Sequence, residues 1–184
     1  LGIGEPDFVT PWHIREAAIY ALEKGRTGYT SNLGLLKLRQ AISTYVERQY
    51  GVAYDPEKEI IITVGVSEAM DIALRAILNP GDEVLYHEPC YVSYHPTVSL
   101  AHGVPVGIAC SVAQNFVPQI RDVAAKIAPK TRALMLNFPT NPTGATLSKQ
   151  QLEPIARLAI DRNLLVLTDE IYAELTYEGM HQSI

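Results

Sequence analysis

The feature that most constrains this 184-residue chain is an alternation. Short apolar runs at 59–64 (EIIITV), 83–87, 105–110, 132–138 (RALMLNF) and 164–168 (LLVLT) are separated by stretches with helical spacing at 66–78, 91–102, 119–128 and 148–162. Runs of this length with no polar alternation read as strands covered on both faces. Apolar strands alternating with helices predict a mostly parallel α/β sheet with right-handed crossovers and helices on both sides. Two helices precede the series. Thr10-Pro11 predicts a hydroxyl cap with proline at the first helical position, and Gly25 a stop. A second amphipathic helix carries Leu35, Leu38, Ile42, Tyr45 and Val46 on one face and ends at Gly51. Pro154 falls inside the helix drawn from Ser148, so that helix either kinks or begins later.

Composition narrows the class. With 47% hydrophobic and 19% charged residues, the chain can build a sizeable core. A net charge of −5 argues against a nucleic-acid or anionic-membrane partner, since both select a basic face. Cys90 and Cys110 have no metal-ligand spacing and fit a reducing compartment. No apolar run approaches the length of a membrane span. The ends, LGIGEPDF and EGMHQSI, read as cuts within a longer polypeptide.

In open parallel sheets ligands bind outside the carboxyl ends of the strands. Four segments would meet there. GVSEA after 59–64 puts Gly65 at a strand-to-helix turn, where a helix N-terminus and the Ser67 hydroxyl suit an anion such as phosphate. An ordinary serine cap explains Ser67 about as well. The segment ends neither as a Walker A loop nor as a dinucleotide fingerprint. HEPCYVSY puts Tyr91 where its ring could stack on a flat ligand, or where both tyrosines could simply pack on the sheet. NFPTNPTG holds more turn chemistry than a crossover needs, which suits a stiff loop presenting Asn141. DEIY sets Asp169 and Glu170 at the end of a buried strand, where a carboxylate is costly without a partner. That partner could be Mg²⁺, a sugar hydroxyl or a protonated ring nitrogen. Tyr172, three residues on, could cover the same ligand. Together the four segments suit a planar, phosphorylated, cationic heterocycle such as pyridoxal 5′-phosphate.

GEPDF, YTSNLGLLKLR, VGVSEAMD, NPGDEV, EPCYVSY, NFPTNPTG and DEIY follow one another in this order over nearly the whole chain. In this the sequence resembles the fold-type-I pyridoxal-phosphate enzymes, specifically class I/II aminotransferases of the aspartate, aromatic and N-acetyl-diaminopimelate branch. The resemblance implies a three-layer αβα large domain, incomplete here. Residues 13–184 would belong to that domain and residues 1–12 to an N-terminal, inter-domain segment. It implies that Gly65, Val66 and Ser67 form a phosphate cup and that Tyr91 stacks on the pyridine ring. Asn141 and Tyr172 would bond the ring 3′-oxygen, and Asn141 the substrate carboxylate as well. Asp169 would pair with the ring nitrogen. Tyr29 would reach the neighbouring subunit's phosphate site in a homodimer, and the backbone at Ile3 and Gly4 would line the substrate carboxylate. Glu170 has no role in the transfer and reads as a structural acid near a helix start. A cytoplasmic enzyme of amino-acid biosynthesis is expected, with an L-amino acid and a 2-oxo acid as substrates.

The family's cofactor-bearing lysine lies beyond DEIY, so no catalytic residue is assigned within residues 1–184. Lys149, in LSK, precedes the aspartate strand and is expected to face solvent. Two other readings stay open: a pyridoxal-phosphate-dependent carbon–sulfur lyase, and a non-catalytic effector domain of the same fold. Aspartate, aromatic amino acids and diaminopimelate derivatives all remain possible substrates.

Overall fold

The computed structural model describes residues 7–184. The chain divides into two compact units, residues 1–62 and 63–184. The first contains α1 (Trp12–Glu23) and α2 (Leu36–Tyr50). α1 begins one residue later than the Thr10-Pro11 signal predicts. Pro11 itself is the N-cap, and its carbonyl accepts from the Ile14 and Arg15 amides. α2 ends as expected at Gly51, whose φ of +72° is the left-handed cap that glycine adopts without steric cost. The buried Arg39 guanidinium donates to the Pro56 and Glu57 carbonyls, tying α2 to the segment that follows it.

The expected strand at 59–64 is not formed. Residues 60–63 are irregular, the Ile62 amide bonds the Leu33 carbonyl, and Ile61 is 46% exposed. The apolar run has the composition of a covered strand, but a strand also needs a ladder, and among the described residues no segment pairs with it.

The second unit is a four-stranded parallel sheet between two helical layers. In chain order it comprises α3 (Gly65–Ile77), β1 (Glu83–Glu88), α4 (Tyr94–Leu100), β2 (Val104–Ala109), α5 (Ile120–Lys126), β3 (Thr131–Asn137), α6 (Lys149–Asp161) and β4 (Leu165–Asp169). The strand order is β2-β1-β3-β4, with every pair parallel. Side chains alternate across the sheet and split the core in two. Val84, Tyr86, Ala133 and Met135 pack with Met70 and Leu74 of α3 and Tyr94 and Val98 of α4. Leu85, Leu134 and Leu136 pack on the other face with Val123 of α5 and Leu152 and Ile155 of α6. This is the expected αβα sandwich, with the central strand β3 buried from Ala133 to Asn137.

α6 starts where the sequence predicts. Ser148 is its N-cap, and the Gln151 side chain accepts from both the Ser148 amide and hydroxyl. Pro154 lies in the second turn, so the helix forgoes only the bond to the Gln150 carbonyl. No helix among the described residues is long and apolar enough to cross a membrane.

Candidate active site

Parallel strands deliver all their carboxyl ends to one side, and a cavity of about 260 Å³ opens there. All four segments singled out in the sequence contribute to it. Val66 and Ser67 come from the start of α3, Tyr91 from the turn after β1, Asn141 from the loop after β3, and Asp169 and Tyr172 from the end of β4. The sequence reading did not pick out Met70, Ser93, Tyr94, Thr97, Asn137 or Ile171, which also line it.

At the anion end, Gly65 does not line the cavity and its amide is already bonded to the Thr63 carbonyl. Its contribution is conformational. A φ of +74° turns the chain into α3, an arrangement that side-chain-bearing residues rarely adopt. That turn leaves Val66 and Ser67 in the first helical turn, where amides have no intrahelical acceptor and the dipole favours negative charge. Ser67 is therefore not the cap of α3; that position belongs to Val64.

Asp169 is the last residue of β4, lines the cavity and is only 7% exposed. Its Oδ2 accepts the Tyr94 phenol at 2.7 Å and its Oδ1 the Ile171 amide at 3.2 Å. Burial and the Asp169 carboxylate together push the Tyr94 phenol well above its usual range, so it remains a donor. The Tyr94 ring meanwhile packs in the core beneath α4. Its neighbour Tyr91 meets it edge-on, with centroids 5.9 Å apart and planes at 80°, and is 38% exposed along the cavity wall. Of the two tyrosines, Tyr94 packs on the sheet and Tyr91 presents a ring.

Asn137 ends β3 directly opposite Asp169 in the register. Its Nδ2 donates to the Asp169 carbonyl at 3.0 Å, and its Oδ1 accepts the Asn141 amide at 3.0 Å. The loop after it folds on itself. The Thr140 hydroxyl donates to the Asn137 carbonyl, and the Thr140 amide donates to the Ala145 carbonyl. Behind Asn137, its backbone amide donates to Nε2 of buried His87, whose ring stacks on Phe138. Burial pulls the His87 pKa down to about 4, which keeps the ring neutral and able to accept.

Asn137 and Tyr94 each had a legible signal. A buried amide at the end of an apolar strand must be satisfied, and Tyr94 lies one helical turn beyond Tyr91. Glu170 is the structural acid expected, in a different role. Its carboxylate accepts from Thr168, Ser183 and His181. Ala173 N–H bonds its backbone carbonyl instead. Lys149 is exposed at the first position of α6, and neither it nor Lys126 nor Lys130 lines the cavity. Tyr29, in the first unit, is fully exposed. Ile3 and Gly4 lie outside the described residues.

The donor set fits pyridoxal phosphate chemically. It offers a helix start with a hydroxyl, an exposed ring, an asparagine amide, a phenol and a buried carboxylate around one cavity. Comparison with known proteins agrees. The Bacillus subtilis (strain 168) protein YugH, an aminotransferase by name, is 49% identical over 184 residues, covering all of this chain and 48% of its own length. The aspartate/prephenate aminotransferase of Thermus thermophilus is 44% identical over 183 residues, covering all of this chain and 47% of that protein. The crystal structure of an aromatic aminotransferase from Pyrococcus horikoshii OT3 superposes with a TM-score of 0.97 at 44% identity, covering all of this chain and 49% of that one. The chain thus spans about half the length of the curated relatives it matches. A model of the family of aminotransferases class I and II, whose members depend on pyridoxal phosphate, matches residues 1–184 from end to end, and the chain belongs to that family.

Proposed function

We propose that the protein containing this chain is an amino-acid aminotransferase that passes an amino group between an L-amino acid and a 2-oxo acid. The observation that carries this reading is the Asp169 carboxylate, buried in the lining of the cavity and held there by Tyr94 and the Ile171 amide. A buried anion kept in place by donors is poised to hold a cationic ring nitrogen. Bound there, pyridoxal phosphate supplies a conjugated ring that takes up the electron pair left on the substrate α-carbon.

The roles proposed are those that the family's pattern implies for these positions. Val66 and Ser67 hold the phosphate, with Gly65 setting the turn that presents them. Tyr91 covers one face of the ring. Asn141 and Tyr172 bond its 3′-oxygen, and Asn141 also meets the substrate carboxylate. Ile3 and Gly4 line that carboxylate through their backbone. Residues 13–184 form part of the cofactor-binding large domain, and residues 1–12 lead into it. The protein works as a homodimer in the cytoplasm, with Tyr29 reaching the partner's phosphate, and serves amino-acid biosynthesis.

The full-length protein, loaded with pyridoxal phosphate, should transfer nitrogen to 2-oxoglutarate from one of aspartate, an aromatic amino acid or a diaminopimelate derivative. Release of ammonia and pyruvate without transfer would make it a lyase. Cofactor binding with neither reaction would make it an effector domain.

A further inference from the structure

Asn137 has every polar group engaged and is 1% exposed. Its backbone amide meets His87, its carbonyl meets Thr140, its Oδ1 meets the Asn141 amide, and its Nδ2 meets the Asp169 carbonyl. The orientation of the side-chain amide follows from its partners. One is an N–H that only the oxygen can accept, and the other a carbonyl that only the nitrogen can meet. One rigid amide therefore spans the backbone of two segments, the loop that carries Asn141 and the strand end that carries Asp169.

We infer that Asn137 is a positioning residue, which acts through the two segments it joins and fixes the distance between the group at the ring oxygen and the group at the ring nitrogen. The inference rests on the cofactor reading above. Asn141 sits within a loop with two prolines and a glycine, and Asp169 ends β4, which among the described residues pairs with β3 alone. Neither segment is held to the other by any further side chain of the loop: Thr140 and Thr143 bond only within residues 137–145. The backbone ladder sets the strand ends side by side, and the Asn137 amide sets where the next turn of the loop begins.

The test uses the full-length protein. Asn137→Asp keeps the acceptor toward Asn141 but replaces the donor toward Asp169. Asn137→Ser is too short to span both partners and leaves room for water, so it serves if the first variant does not fold. Val123→Ala, a core truncation in α5, is the control for lost stability alone. Two quantities are read: the dissociation constant for pyridoxal phosphate by fluorescence titration, and the pH midpoint of the bound cofactor's visible absorption band. The Asn137 variants should weaken cofactor binding by about tenfold or more, the scale of one well-made hydrogen bond, and should move the midpoint. Val123→Ala should melt earlier and leave both readings at wild-type values. Asn137 variants with wild-type affinity and midpoint overturn the inference, whatever their melting temperature. A wild-type protein that takes up no cofactor overturns the aminotransferase reading itself, and the inference with it.

Discussion

At the scale of single residues, the site depends on where buried polar groups find partners. Asp169→Ala in the full-length enzyme removes the anion opposite the ring nitrogen. Turnover should fall by at least about 100-fold, as when a well-placed electrostatic group is lost. Steady-state kinetics giving near-wild-type turnover would show that Asp169 is not the ring's partner. His87 makes a second prediction. Its folded pKa of about 4 lies below the ordinary value of 6.5, so between these values the unfolded chain binds more protons than the folded one. Its contribution is complete above about pH 6.5 and is lost as pH falls toward 4, with an upper value of about 3 kcal/mol. Urea midpoints at pH 7 and 4.5 should differ less in His87→Gln than in the parent; an equal difference would clear His87 of the effect. The residues expected from the sequence that do line the cavity sit at the start of α3 or at or just beyond the ends of β1, β3 and β4, where topology brings them together. Tyr94 and Asn137 escaped because their roles lie in side-chain contacts across 75 and 32 residues. A strand pattern predicts which strand ends are neighbours but not which hydroxyl meets which oxygen.

At the scale of elements, patterning carried most of the fold. Four of five expected strands form within a residue or two, and so do their helices except α4, which starts three residues later than expected, because long apolar runs leave few ways to be buried. The exception, 59–64, has the right composition and no ladder, and pairing is a property of two segments rather than one. Capping was legible in part: Gly51 and Ser148 behave as expected, while Pro11 takes the cap position predicted for Thr10. α6 tests the face assignment. Ile155 is 1% exposed against the sheet, whereas Ile160 is 78% exposed. Ile155→Ala should cost about 2–5 kcal/mol in urea unfolding, and Ile160→Ala no more than about 0.5 kcal/mol. Similar losses at both positions would mean that the helix is rotated from the orientation described.

At the scale of the whole molecule, cofactor binding and catalysis separate. The cavity collects the groups proposed for the phosphate, the ring and the ring nitrogen, but no lysine is among the residues that line it. Aminotransferases use a lysine to hold the cofactor and to move the proton at the α-carbon. Residues 1–184 alone should therefore neither transaminate nor fix the cofactor covalently. Borohydride reduction after incubation with pyridoxal phosphate, followed by peptide mapping, should find sparse label scattered over surface lysines. A single dominant labelled lysine together with measurable amino transfer would overturn this.

The strand order has a consequence for synthesis. Chain leaves the ribosome from its amino end, so β1, β2 and β3 are available to pair before β4 exists. Until β4 docks, the Tyr94 phenol and the Asn137 amide are aimed at an acid and a carbonyl that have not yet been made. Arrival of Asp169 at the end of β4 satisfies both at once and brings the buried carboxylate to the cavity in the same step. A nascent chain of this protein is thus unable to assemble this cavity until β4 and the residues just after it have emerged.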